Sequence, residues 1–307
     1  MFLALISMAV TGQSRSPQNP NFSKQMISDM GISTQRRGLA KVKRDWVNPN
    51  GFKVANFGPK NLGKFPLLDV ELESNIEKAG IAIEAQGERG TCTIFATKFL
   101  VEYELARQAK FQSSVRLNPE FLNWSANAAT ATSGDGSSFP GVIEGLDEYG
   151  CSQWDVPKVY KPFKADFDPK YQPSDSARLK AKSVKEKVGL YQLFTHSSPG
   201  LTTKEMIWID ALLKRGVPVA VGQQWPESGA WKTQVVDGVK ILDGTGPVKG
   251  AHTMAIVGYK KTAKAPGGGY FLFRNSWSEG WGYGGYHFMS FEWVRGHTYD
   301  ACIAGPP

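Results

Sequence analysis

The sequence predicts an α+β protein in two lobes, and three observations carry that expectation. Helical patterns dominate between residues 92 and 216. Apolar runs and alternations of strand length take over from Val217 onward. Trp and Gly gather in the last third, the composition of short strands joined by tight turns. Helical segments followed by strands, rather than alternating with them, point to separate helical and sheet regions.

The elements follow in order along the chain. Residues 1–12, MFLALISMAVTG, hold an apolar run at 2–10 with Val10 and Gly12 at signal-peptidase −3 and −1 positions, though no Lys or Arg precedes the run. A signal peptide and a secreted or extracytoplasmic location are the expectation. Residues 13–65 are polar and basic with little periodicity, and read as a poorly packed leader or short prosegment. The globular domain is expected over 66–307. After Cys92, TIFATKFLVEYELARQ carries apolar residues around much of a helix, which predicts a central buried helix with Thr91 as its N-cap. LNPEFLNWSANAA and FPGVIEGLDEYG predict two shorter helices, separated by the loop 130–138. PKVYKPFKADFDPKYQPSD is rich in proline and reads as loop. In 202–216, Thr202 and Glu205 have capping-box spacing and Gly216 follows the last apolar residue. VPVAVG, KTQVV, VKIL, HTMAIVGY, YFLFRNSW and GGYHFMS read as strands, with Asp237-Gly238 as a hairpin turn.

Composition narrows the function classes. Apolar residues make up 41% and charged residues 21% of 307, an ordinary globular balance. The net charge of +8 concentrates in RRGLAKVKR (36–44) and RLKAKSVKEK (178–187). No nucleic-acid motif accompanies these runs, so a solvated basic surface is expected and no specific nucleic-acid partner. No segment beyond residue 12 is long and apolar enough to be a transmembrane helix. Cys92, Cys151 and Cys302 allow one bridge at most, and sequence leaves open whether Cys151 and Cys302 pair. With no CxxC, no HExxH and no close His/Asp cluster, no metal and no cofactor are expected. Asn21 and Asn123 sit in glycosylation sequons.

The chemistry lies in four residues. Cys92 opens a helix, where the dipole and unpaired N–H groups favour a thiolate. His252, alone among the four histidines, opens an apolar strand after a glycine-rich turn. Asn275 ends another apolar strand, backed by Trp277 and Trp281, and its carbonyl can hold a histidine tautomer while Trp277 shields the bond. The Gln86 carboxamide and the Cys92 backbone N–H can hold an oxyanion. Each residue also has an ordinary reading: packing cysteine, surface histidine, turn asparagine. Together they supply a nucleophile, a base, an orienter and an oxyanion donor.

These segments resemble the papain-like cysteine peptidases from about Pro66 to the C-terminus. QGERGTC is similar to the family's glutamine-to-cysteine segment, AHTMAIVGY to its histidine strand, RNSWSEGWGYGGY to its Asn-Ser-Trp block, and GDGSSF to its substrate-pairing glycine loop. The resemblance implies a helical lobe holding Cys92, a β-barrel-like lobe holding His252 and Asn275, and a cleft between them. It also implies thiol endopeptidase activity on peptide or protein substrates, and a monomer. By the same resemblance Gly136, Gly222, Ala251 and Trp277 line the substrate site, with a roomy pocket at the two glycines. Three departures point to a disulfide-poor, bacterial-like branch: Arg89 replaces a disulfide cysteine, Thr93 the usual aromatic, and Ala251 an acidic or polar residue. His252 lies 160 positions after Cys92, against roughly 130–150 in papain and the cathepsins. Two rival functions remain open at this point: transpeptidase or amidase chemistry from the same acyl-enzyme, and a non-catalytic binding protein on a peptidase scaffold.

Overall fold

The computed structural model describes residues 23–30, 67–154, 160–226, 232–243 and 247–307. The expected signal peptide, the sequon at Asn21, the basic stretch 36–44 and most of the leader lie outside them.

One turn of the leader differs from expectation. Helix α1 (Lys24–Asp29) is capped by Ser23, whose hydroxyl accepts from the Met26 N–H. Ile27 is fully enclosed and joins the main core, so this stretch is packed.

After α2 (Glu73–Ala79), the helical lobe is built on α3 (Cys92–Gln108), which buries residues on nearly all sides, as its apolar circumference requires. Lys98 is enclosed with it and is neutralised by Glu84 at 2.5 Å and Glu102 at 2.6 Å. Thr91 precedes α3 but does not cap it. Its ψ of 19° is not the extended geometry of an N-cap, and its hydroxyl meets the Tyr160 hydroxyl at 2.7 Å instead. Helix α4 (Pro119–Ala129) starts at the Asn118 cap with proline in its first turn, and α5 (Phe139–Tyr149) starts at the Ser138 cap. These two helices pack against each other and α3.

The basic run 178–187 falls largely on a helix the sequence reading missed, α6 (Asp175–Lys185). It turns Ala177, Ala181 and Val184 inward and leaves Lys180 and Lys182 toward solvent, the solvated face expected, while Lys185 Nζ donates to the Asp147 and Glu148 carbonyls. Helix α7 (Thr203–Lys214) carries the capping box between Thr202 and Glu205 and ends before Gly216, whose φ of 73° only glycine adopts without strain.

The second lobe is one twisted sheet. Its strands are β1 (Val70–Glu71), β2 (Gly189–Thr195), β3 (Val219–Pro226), β4 (Thr233–Val236), β5 (Val239–Leu242), β6 (Val248–Lys261), β7 (Gly269–Arg274), β8 (Tyr286–Ser290) and β9 (Thr298–Gly305). Their order is β2-β9-β3-β6-β7-β8-β5-β4, with β1 against β6. The β4–β5 hairpin turns at Asp237-Gly238, both at positive φ. Strands β2 and β9 and the helix α8 (Phe291–His297) were not anticipated. β2 and β9 are buried almost throughout, so neither shows the alternation that marks a half-buried strand.

Helix α3 packs on β6 and β9, so the two lobes share one apolar core. Cys92, Cys151 and Cys302 are all free and buried, which answers the pairing question: none is bridged.

Candidate active site

The segment before α3 is tied to both lobes. A short antiparallel bridge joins Ala85 to Trp277, with the Gln86 N–H donating to the Ser276 carbonyl at 2.8 Å. This bridge brings the glutamine segment beside the Asn-Ser-Trp block, although 190 positions separate Gln86 from Ser276. Two bonds fix the Gln86 carboxamide: its Nε2 donates to the Arg89 carbonyl at 2.8 Å, and its Oε1 accepts from the Ser276 hydroxyl at 2.7 Å. A carbonyl can only accept, so the nitrogen must be on the Arg89 side. One Nε2 hydrogen is used there, and no bond is formed by the other among the described residues.

Arg89 stands three residues before Cys92. Its guanidinium is fully enclosed, pairs with Glu120 of α4, and holds Asp135 of the 130–138 loop at 2.7 Å. It also lies over the Tyr160 ring at 4.4 Å. The Tyr160 hydroxyl in turn donates to the Gln86 carbonyl at 2.6 Å. An ionic and aromatic cluster thus anchors the loop leading into Cys92.

Cys92 is the first residue of α3, so its backbone N–H has no acceptor within the helix. His252 lies in β6, opposite Gln223 of β3, and Asn275 directly follows β7. His252 Nε2 and Asn275 Oδ1 are 2.8 Å apart. The same Oδ1 accepts the Ser276 backbone N–H at 2.7 Å, which identifies it as oxygen. His252 therefore carries its proton on Nε2 and keeps Nδ1 as an unprotonated acceptor, which has no partner among the described residues. Trp277 lies over the imidazole at 4.5 Å and Trp225 meets it edge-on at 4.9 Å, so both exclude water from the His–Asn bond.

Burial dominates the electrostatics. It pushes the Cys92 thiol up to about 11, opposed by hydrogen bonds from Thr253 and Thr93. It lowers His252 to about 4, opposed by the Asn275 bond. With these shifts both groups are neutral at pH 7.

The four expected substrate-site residues are placed as follows. Trp277 covers His252, and Ala251 is buried opposite Gln224 of β3. Gly136 has φ of 105°, and a Cβ there would lie 2.2 Å from the Gly90 carbonyl. Its N–H and C=O are engaged by Asn123 and Asn127 of α4. A Cβ at Gly222 would lie 2.3 Å from Asp300 Oδ1. Neither glycine faces open space, because each gap is filled by a neighbouring polar group. The Asn123 side chain, enclosed and spent on Gly136, is not presented as a glycosylation site.

Sequence reasoning missed several contributors: Ser276, which orients Gln86; Tyr160; Thr93 and Thr253; Trp225; and His287. Ser276 had a readable signal inside the Asn-Ser-Trp block. Tyr160 had none, standing in a proline-rich stretch. The other histidines are structural: His196 pairs with Glu205 at 2.9 Å and His297 stacks on Trp293 at 3.7 Å. Among the described residues no group of His, Cys, Asp and Glu could hold a metal, and no helix is long and apolar enough to cross a membrane.

Comparison with known proteins follows the geometry. A family model described as papain family cysteine protease matches residues 77–301. A search of curated proteins gives no significant match. Among solved structures, xylellain, a cysteine protease from Xylella fastidiosa, is similar with a TM-score of 0.58 and 18% identity, covering 87% of this chain and 100% of that one. Procathepsin B S9 from Trypanosoma congolense is similar with a TM-score of 0.54 and 12% identity, covering 94% of this chain and 99% of that one. At such identities these two likenesses speak to the fold.

Proposed function

The chain belongs to the papain family of cysteine proteases, and from that premise we propose that it is an endopeptidase whose nucleophile is Cys92 and whose base is His252. The Cys92 S–H bond breaks as sulfur bonds to the substrate carbonyl carbon, and the proton passes to His252 Nδ1. The carbonyl electron pair moves onto oxygen, which the second Gln86 Nε2 hydrogen and the Cys92 backbone N–H hold. His252 then gives the proton to the leaving amine, leaving a thioester on Cys92. Water, deprotonated by His252, hydrolyses that thioester and restores the thiol. Asn275 keeps the Nε2 proton in place throughout.

The observation that carries this reading is the His252 tautomer. Asn275 Oδ1 is identified by the Ser276 N–H, so the free imidazole nitrogen is the basic one. Transfer from a neutral thiol to a neutral imidazole inside a closed site creates an ion pair at the moment of attack, where low dielectric strengthens their attraction.

Digestion of a diverse peptide mixture under reducing conditions, read by mass spectrometry beside Cys92→Ala, tests the reading. Internal cleavages made only by the native protein are expected. Intact peptides with products joined to added amines would instead make the enzyme an acyl transferase. The reading also takes 66–307 as the catalytic domain and the apolar run 2–10 as an export signal. Protein recovered from the medium is expected to begin near residue 13 or later, and retention of Met1 would remove the export proposal.

A further inference from the structure

Residues 160–162 lie across residues 86–91, the loop before α3, and each of the three bonds it. The Pro162 carbonyl accepts the Glu88 N–H at 2.8 Å, and the Lys161 carbonyl accepts from Arg89 Nη1 at 3.2 Å. The approach is close enough to require Gly87, where a Cβ would lie 2.3 Å from the Pro162 Cβ. The third tie is the Tyr160 hydroxyl, 2.6 Å from the Gln86 carbonyl and 2.7 Å from the Thr91 hydroxyl. It thus touches the first and last residues of the loop, both of them closed to solvent.

A count of protons fixes the direction of this chain. The Gln86 carbonyl can only accept, so it takes the one hydrogen that the Tyr160 hydroxyl carries. Thr91 must then be the donor to Tyr160. The residues so joined are those that present the oxyanion donors: Gln86 through its carboxamide, and Thr91 immediately before the Cys92 backbone N–H. The tyrosine ring has its own anchors, with the Arg89 guanidinium over it at 4.4 Å and Phe95 of α3 edge-on at 5.0 Å.

We propose that Tyr160 is a positioning residue whose hydroxyl sets the separation of the Gln86 and Cys92 oxyanion donors by bridging the ends of their loop. It touches neither the substrate nor the reacting atoms. Two donors serve one oxygen only while their spacing is held, and a misplacement of about 1 Å is costly. Without the bridge, the enclosed Gln86 carbonyl and Thr91 hydroxyl each lose a partner, which drives the loop to shift. The inference rests on Cys92 being the nucleophile and Gln86 an oxyanion donor.

Tyr160→Phe removes the hydroxyl and keeps the ring. Its test compares two reactions of Cys92 in the full chain. Addition to a peptide aldehyde places the carbonyl oxygen in the oxyanion site, whereas exchange with a small disulfide reagent forms no oxyanion. Tyr160→Phe is expected to weaken aldehyde binding and lower kcat about tenfold, with KM and the disulfide reaction within about twofold of native. Thr91→Val is expected to do the same, and Thr91→Ser, which keeps a hydroxyl, to match the native protein. Native aldehyde affinity in folded Tyr160→Phe, or an equal loss in both Cys92 reactions, overturns the proposal. Should Tyr160→Phe not fold by circular dichroism, native aldehyde affinity in Thr91→Val overturns it instead. A native protein that binds the aldehyde but cleaves no peptide would sink the endopeptidase reading, and the aldehyde comparison would still decide the role of Tyr160.

Discussion

Gln86 illustrates how one side chain is fixed by its neighbours. Ser276 donates to its oxygen and the Arg89 carbonyl accepts one of its two amide hydrogens. Gln86→Ala is expected to lower kcat on the order of a hundred- to a thousand-fold, the scale of one oxyanion donor, in steady-state peptide hydrolysis. Unchanged kcat would take Gln86 out of the oxyanion site. His287 poses a different question at the same scale. It stacks on Phe273 at 5.4 Å, meets Trp281 edge-on at 4.7 Å, and neither ring nitrogen has a partner among the described residues. Burial, with His252 nearby, holds it well below the usual histidine range. Folding thus keeps His252 and His287 neutral, while unfolded histidines take up protons near pH 6.5. Their contribution to stability is complete above about pH 6.5 and is lost as pH falls toward about 4, the folded-state value of His252. For His252 the shift corresponds to on the order of 3 kcal/mol. His287→Phe, which preserves the stack, is expected to flatten the fall of urea stability across that acid window. An unchanged slope would place the acid sensitivity elsewhere.

Among elements, the loop 86–91 depends most on its surroundings. Arg89 joins it to α4 through Glu120 and to the 130–138 loop through Asp135. An enclosed ion cluster of this kind must offset its own desolvation. Arg89→Met would leave Glu120 and Asp135 facing each other without a cation. A loss of about 3–5 kcal/mol in denaturant unfolding is expected, with activity falling as the loop shifts. Native stability insensitive to reductant belongs to the same account, since every cysteine is free. A loss well under 1 kcal/mol for Arg89→Met would mean that the cluster is dispensable.

For the whole molecule, α3 is the part common to both lobes. Phe99, in its second turn, is 2% exposed and receives the Arg274 guanidinium of β7 at 4.3 Å. The core is continuous from the helical lobe through α3 into the sheet. Phe99→Ala is therefore expected to cost about 3–5 kcal/mol and to lower both lobes together. Coincident melting by tryptophan fluorescence, to which Trp124 of α4 and Trp225 of β3 both contribute, and by far-ultraviolet circular dichroism would show this. Separate transitions would mean that the lobes are independent cooperative units.

Reading the chain alone gave the fold class and the four candidate catalytic residues, and the reason is local. The capping box of Thr202 and Glu205, the apolar circumference of α3 and the Asp237-Gly238 turn are each determined by neighbours within a few positions, whereas Thr91 failed as a cap because its hydroxyl meets distant Tyr160. The motif residues were legible because each carries its chemistry in a short stretch. Strands β2 and β9 escaped because burial on both faces erases alternation, and α1 because its single inward residue, Ile27, shows no period. What only the tertiary structure decided are the relations between distant segments: Arg89 with Glu120 and Asp135, Gln86 with Ser276, Thr93 with Thr253, and the polar filling beside Gly136 and Gly222. Such pairs depend on which surfaces meet when α3 packs against the sheet. A single sequence encodes each partner without recording that they touch.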